Sequence, residues 1–194
     1  MEEDKMMPHC QVLIIGGSAG SLDVLMKILP HIQAIPSFAM VIVLHRKSGE
    51  DAALEELISL KTLIPVKEVE DKTALLPGAI YVAPSDYHLL FENDGMLSLD
   101  ISEKVNYSRP SIDVSFESAA EIYGPALTGL LLSGANADGT RGLRAIQQAG
   151  GTIVVQDPQT AEMPFMPRHA IENVRPDQVL DIKKILQFIL QLNS

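Results

Sequence analysis

Short apolar runs rich in β-branched residues recur along this chain, and most of them give way to a segment of helical periodicity. The runs are residues 11–15, 40–44, 80–83, 127–132 and 152–155. Runs so short, with no polar alternation, read as strands buried on both faces. After Gly20, the residues Leu22, Leu25, Met26 and Leu29 fall at helical spacing until Pro30 stops them. Leu54, Leu57 and Ile58 share one face of a second predicted helix over residues 53–60. Ser111 is placed to cap a third, running to about Tyr123, with Gly124 and Pro125 ending it. A fourth follows Gly139 and closes at Gly150-Gly151. A fifth begins at Asp181 with Ile182, Ile185, Leu186, Ile189 and Leu190 as its stripe. Strands alternating with helices predict an α/β fold with a parallel sheet covered on both faces. Residues 89–91 and 96–101 flank Glu92-Asn93-Asp94-Gly95, whose Asp-Gly pair predicts an antiparallel hairpin. Residues 102–110 are mostly polar and without period, so a surface loop is expected there.

The 194 residues suffice for one buried core. No repeat, low-complexity stretch or long linker divides them, so residues 1–194 are expected to form a single domain. Lys and Arg number 15 against 25 Asp and Glu, a net charge of -10. Such a surface repels phosphate backbones and anionic lipid, which argues against nucleic acid and membranes as partners. One cysteine, Cys10, allows no internal disulfide and fits a reducing compartment. Met1-Glu2-Glu3-Asp4 begins no signal peptide, and no apolar run reaches the ~18 residues of a membrane span. A cytoplasmic location without membrane insertion is therefore expected.

Ligands of open α/β sheets bind at the carboxyl ends of the parallel strands. The first strand leads into Gly16-Gly17-Ser18-Ala19-Gly20, a Gly-x-Ser-x-Gly pattern that would lift a serine hydroxyl out of a sharp turn. The second leads into His45, and the strand at 127–132 into Ser133-Gly134-Ala135-Asn136-Ala137-Asp138-Gly139. A nucleophile, a base and an acid thus follow three strands and would converge on one rim. Each also has a plainer reading. The glycine-rich turn would serve phosphate binding, His45 a strand-end hydrogen bond, and Asp138 a helix cap. Asp157, after another strand, competes as the acid, and His88 as the base. His9, His31 and His169 lie away from strand ends and are expected at the surface or in packing. The glycine spacing lacks the dinucleotide fingerprint and a Walker lysine. The histidines and the lone cysteine form no metal spacing. We therefore expect neither cofactor nor metal.

Six segments stand in order along the chain: Val12 through Gly20, Val41 through His45, and Leu76-Pro77-Gly78-Ala79-Ile80-Tyr81-Val82-Ala83-Pro84, then Ser108-Arg109-Pro110-Ser111-Ile112-Asp113-Val114, Leu132 through Gly142, and Met166-Pro167-Arg168. Taken together, they resemble the CheB-type chemotaxis protein-glutamate methylesterases. Six matches in order cover residues 12–179, nearly the whole chain. The family's fold, as the resemblance implies it, is a three-layer α/β/α domain with a largely parallel, doubly wound sheet and an antiparallel hairpin. The implied reaction hydrolyses glutamyl methyl esters on a chemoreceptor's cytoplasmic helices, and some members also deamidate glutamine. Carried over, Ser18 is the nucleophile, His45 the general base and Asp138 the orienting acid. By position, the backbone N–H groups of Ala19 and Ala135 are candidates for the oxyanion site. Arg109 and Arg168 are candidates for contact with an acidic substrate, with surface salt bridging the alternative role.

The chain departs from the family at Ala19, where threonine is common, at Ala135 for methionine, at Ala137 for asparagine, and at Arg46-Lys47 for methionine-proline. Typical members carry an N-terminal receiver domain. The about ten residues before the first strand are too few for one, so any such control is expected from a separate regulatory chain. The substrate would be a methylated chemoreceptor or another methylated protein. The altered flanks keep open a weakly active or inactive relative that binds a signalling protein through the same cleft.

Overall fold

Alternation along one central strand sorts the core into two halves. In β1 (Val12–Gly17), Leu13 and Ile15 face one side while Val12 and Ile14 face the other, and all four are buried. A strand buried on both faces must be covered by two layers. On the Leu13 side lie α1 (Ser21–Ile28), α2 (Leu54–Ser59) and α6 (Ile182–Leu192), contributing Leu25, Ile58 and Phe188. On the Val12 side lie α3 (Ile112–Tyr123), α4 (Thr140–Gln148) and α5 (Phe165–Asn173), contributing Phe116, Leu143 and Met166.

The computed structural model describes residues 9–46 and 54–193, so Lys47, Ala53 and the acidic start Met1-Glu2-Glu3-Asp4 lie outside the described residues. The other strands of the main sheet are β2 (Ala39–Leu44), β3 (Val66–Glu68), β5 (Ile80–Val82), β8 (Leu127–Leu131), β9 (Thr152–Gln156) and β10 (Gln178–Leu180). Their order is β10-β9-β8-β1-β2-β5-β3, and all of these neighbours pair in parallel. A second sheet of three antiparallel strands joins β4 (Thr73–Ala74), β7 (Met96–Asp100) and β6 (His88–Phe91). It packs on α3 through Leu89, Phe91 and Leu97. The three-layer α/β/α arrangement and the hairpin agree with the expectation from sequence.

Edge strands β3 and β10 had no apolar run to announce them. Pairing on one side only, they hold exposed Lys67, Gln178 and Val179. Helix α5 was not anticipated either, because Pro167 sits inside it. The proline occupies the first turn, where its missing N–H breaks no intrahelical bond. Ser111 caps α3 as expected, its side chain accepting from Val114 N.

The chain order puts β1 between β2 and β8, and the elements that follow β1 and β8 leave for opposite faces. That divergence opens a crevice at the carboxyl ends of the strands, the usual ligand site of such sheets. Helices α3 and α4 meet just beneath it. A Cβ added at Gly142 would lie 2.5 Å from Phe116 Cβ and 3.2 Å from the Asp113 Cα. We expect Gly142→Ala to destabilise the fold by about 1–3 kcal/mol through overpacking. Urea denaturation followed by circular dichroism would measure it, and an unchanged midpoint would contradict this view of the helix crossing.

Candidate active site

Each candidate side chain hangs from the end of a strand. Beyond β1 the chain turns through Ser18, whose N–H donates to Ser133 O at 2.8 Å and whose carbonyl accepts from Ser21 N at 3.1 Å. Gly20, at φ 85°, then opens α1, a left-handed position that favours glycine. The Ser21 hydroxyl donates to Ser133 O at 2.7 Å, and Ser133 Oγ donates to Ala19 O at 2.7 Å. The serine turn is therefore stitched to the loop that follows β8. His45 follows β2, with its N–H donating to Gly17 O at 3.1 Å, so β1 and β2 continue their ladder up to these residues.

His45 Nε2 lies 2.7 Å from Asp138 Oδ2. The Asp138 side chain is fully buried and that of His45 nearly so. The Asp138 carboxylate also sits on the N-terminus of α3, accepting from Ile112 N at 2.7 Å and Asp113 N at 3.0 Å. The Ser111 hydroxyl donates to it at 3.1 Å. Burial pushes this carboxyl up. The His45 hydrogen bond and the N–H groups of Asp113 and Ile112 outweigh burial and hold it down, at about 2. An ionised Asp138 can only accept, so the imidazole proton belongs on Nε2 and Nδ1 is the basic nitrogen. The Asn136 amide nitrogen faces Nδ1 at 3.4 Å, its orientation set by Asn136 Oδ1 accepting from Asp138 N at 3.0 Å.

Asp113 mirrors this arrangement. Its buried carboxylate accepts from Gly139 N at 3.0 Å and Gly142 N at 2.7 Å, at the N-terminus of α4. Each helix thus receives a carboxylate associated with the start of the other. Burial, then the neighbouring Asp138 charge, push Asp113 up to about 6. One amide joins the two acids: Asn106 Nδ2 donates to Asp113 Oδ2 at 2.8 Å and to Asp138 Oδ1 at 2.9 Å.

Ser18, Ala19 and His45 form one side of a cleft of about 530 Å³, and Lys104, Tyr107 and Arg109 are on the 102–110 loop that walls it. That loop was expected merely at the surface. Arg109 Nη1 donates to Ile101 O and Ser102 O, each at 3.0 Å, which braces the loop. Ala135 is exposed, and Arg168 lies on the exposed side of α5. Neither belongs to this cleft's lining. Among the described residues, the N–H groups of Ala19 and Ala135 make no hydrogen bond.

The competing candidates are engaged elsewhere. His88 is buried, with Nε2 against Glu103 O at 2.8 Å and Nδ1 accepting from Ser111 N at 3.2 Å. Asp157 caps a single turn by accepting from Gln159 N at 2.9 Å. His169 packs on Phe165 and contacts Thr140 Oγ1 at 2.9 Å, while His31 is exposed. No group of three potential metal ligands occurs among the described residues. Asn106, Asp113 and Asn136 were not singled out from sequence. Asp113 and Asn136 lay within segments already noted, but nothing in the polar 102–110 stretch distinguished Asn106.

The sequence and the fold both have counterparts among known proteins. A profile of the CheB methylesterase family matches residues 13–189. The chain belongs to the CheB methylesterase family. A Leptospira interrogans relative, provisionally named a protein-glutamate methylesterase/protein-glutamine glutaminase, is 43% identical over 184 residues, covering 95% of each chain. A Thermotoga maritima protein-glutamate methylesterase/protein-glutamine glutaminase is 33% identical, covering 94% of this chain and 54% of its own length, so this chain spans about half of that relative. The crystal structure of the Thermotoga maritima CheB methylesterase catalytic domain superposes with a TM-score of 0.89 at 32% identity, covering 94% of this chain and 98% of that one.

In this CheB-type domain the two buried acids act on stability in opposite directions. The proton held by Asp113 stabilises the fold fully below its ordinary 3.8, and that contribution is lost as pH rises through about 6. The Asp138 contribution is present above 3.8 and is lost as pH falls through about 2. We expect the melting temperature of Asp113→Asn to gain on that of the parent as pH rises from about 4 to about 7. Calorimetry at several pH values would check it, and a constant difference across the range would refute it.

Proposed function

We propose that this chain is the catalytic domain of a protein-glutamate methylesterase that removes methyl esters from glutamate side chains of chemoreceptors, in the cytoplasm. The observation that carries the reading is the His45–Asp138 hydrogen bond of 2.7 Å at the rim of the cleft that Ser18 also lines. The names of the relatives supply the substrate class. No helix among the described residues is long and apolar enough to cross a membrane.

Ser18 is the nucleophile, His45 the base and Asp138 the acid that orients the base. As Ser18 Oγ attacks the ester carbonyl, its proton passes to His45 Nδ1. The imidazolium that forms is stabilised by the Asp138 carboxylate at Nε2. The negative oxygen of the tetrahedral adduct is met by the unengaged N–H group of Ala19, which lines the cleft beside Ser18. Collapse breaks the bond to the methoxy oxygen, which leaves as methanol with the proton returned by His45. Water, deprotonated by the same nitrogen, then releases the glutamate carboxylate and restores Ser18. A glutamine amide would follow the same course with ammonia as the leaving group. Relative to the serine-protease arrangement, the two imidazole nitrogens exchange roles.

Methanol release from methyl-labelled chemoreceptor membranes tests the reading. We expect Ser18→Ala to lower turnover by roughly 10⁶-fold, as for the nucleophile of a serine protease. Asp138→Asn should lower it by roughly 10⁴-fold, the drop known for the same exchange in another triad. A folded Ser18→Ala variant that still releases methanol at the parental rate would sink the assignment.

A further inference from the structure

The 102–110 loop is anchored at every point but one. Its Glu103 carbonyl accepts from His88 Nε2 at 2.8 Å. Arg109 braces its two ends, and the Arg109 carbonyl accepts from Asp86 N at 3.2 Å. Val105 and Ser108 exchange backbone hydrogen bonds of 3.0 and 3.1 Å around a two-residue turn. Asn106 in that turn reaches both buried acids. The exception is the outer surface that Lys104 and Tyr107 present to the cleft.

Both turn residues have positive φ, 53° at Asn106 and 62° at Tyr107. This is the signature of a type I′ turn, which ordinarily places glycine second. A tyrosine there bears a backbone cost that its own contacts do not offset, because it is 99% exposed. Lys104 is likewise exposed and forms no ion pair among the described residues. Around the cleft stand Arg46, Lys104 and Arg109 against Asp86, in a chain of net charge -10. Arg46 is buried and faces Glu68 at 3.5 Å, and Arg109 is turned onto backbone carbonyls, so Lys104 is the cation available to a ligand. Lys104 is thus an exposed positive point at the mouth of the cleft of an acidic protein, which favours an acidic partner group at that point.

We propose that Lys104 and Tyr107 are specificity-determining residues that receive an acidic segment flanking the esterified glutamate, with Asn106 as the positioning residue that registers their loop to Asp138. The inference rests on the esterase reading. Lys104 pairs with a carboxylate next to the scissile ester, and the Tyr107 ring covers the adjacent backbone. Through Asn106, the contact surface and the triad acid move as one body.

The test uses two synthetic peptides, each with a central glutamate γ-methyl ester, one flanked by glutamates and the other by lysines. Methanol release gives kcat/KM for each. We expect the parent to prefer the acidic peptide by about two- to fivefold, the scale of one exposed charge pair. Lys104→Glu should abolish or invert that preference, and Tyr107→Ala should lower kcat/KM on both peptides. Asn106→Ala should bring the ratio towards one, whereas a purely structural Asn106 would lower both rates and leave the ratio intact. Equal rates on both peptides by the parent, or a Lys104→Glu variant that keeps the parental ratio, overturns the inference alone. Hydrolysis of neither peptide by the parent overturns the esterase reading and the inference with it. Circular dichroism on each variant confirms that the compared proteins are folded.

Discussion

A buried negative charge at the meeting point of two helices organises the upper half of this molecule. Taking a carboxylate out of water is costly unless each lone pair finds a donor. Asp138 finds donors in the first two N–H groups of α3, in the Ser111 hydroxyl and in His45. The helix N-terminus adds its partial positive charge. The fold thereby supplies an anion fixed in place before any substrate arrives, and the imidazole is oriented by it. Asp113 stands at the start of α4 in the reciprocal position, so the crossing of the two helices and the ionisation of the acid are one structural problem.

The division of labour between the two acids follows from what surrounds them. Both are buried and both accept backbone N–H groups, but only Asp138 faces an imidazole. Two adjacent carboxylates do not ionise with equal ease, and the proton favours the one that lacks the imidazole hydrogen bond. Asp113 takes that part, which leaves Asp138 charged against the His45 ring.

Much of this was legible in the sequence because its signals were local. The apolar runs gave the central strands, Ser111 gave the cap of α3, and the residues after three strands gave Ser18, His45 and Asp138. Their meeting is a property of the sheet order, which no local pattern states; the rule that open α/β sheets bind ligands at the ends of their strands anticipated it, and the family resemblance agreed. The short edge strands β3 and β10 have no such pattern because exposure removes the need for one. Asn106 was invisible for a related reason. A polar residue in a polar loop gains its meaning only when the chain folds back and places its amide between two acids 7 and 32 residues away. Arg46 shows the same limit. In sequence it departs from the family pattern, and in the structure it is a buried strut that donates to Ala83 O at 2.8 Å.

The backbone register has a consequence of its own. Gly17 pairs with Leu44 and Gly16 with Leu131, so the serine and the histidine leave adjacent strands one step beyond paired positions. Their separation is ruled by the hydrogen-bond ladder, about 4.8 Å from strand to strand, and owes little to the side chains around them. A ruler built from main chain is indifferent to drift in the loops above it. A substitution in those loops therefore leaves the spacing of Ser18 and His45 to the main chain.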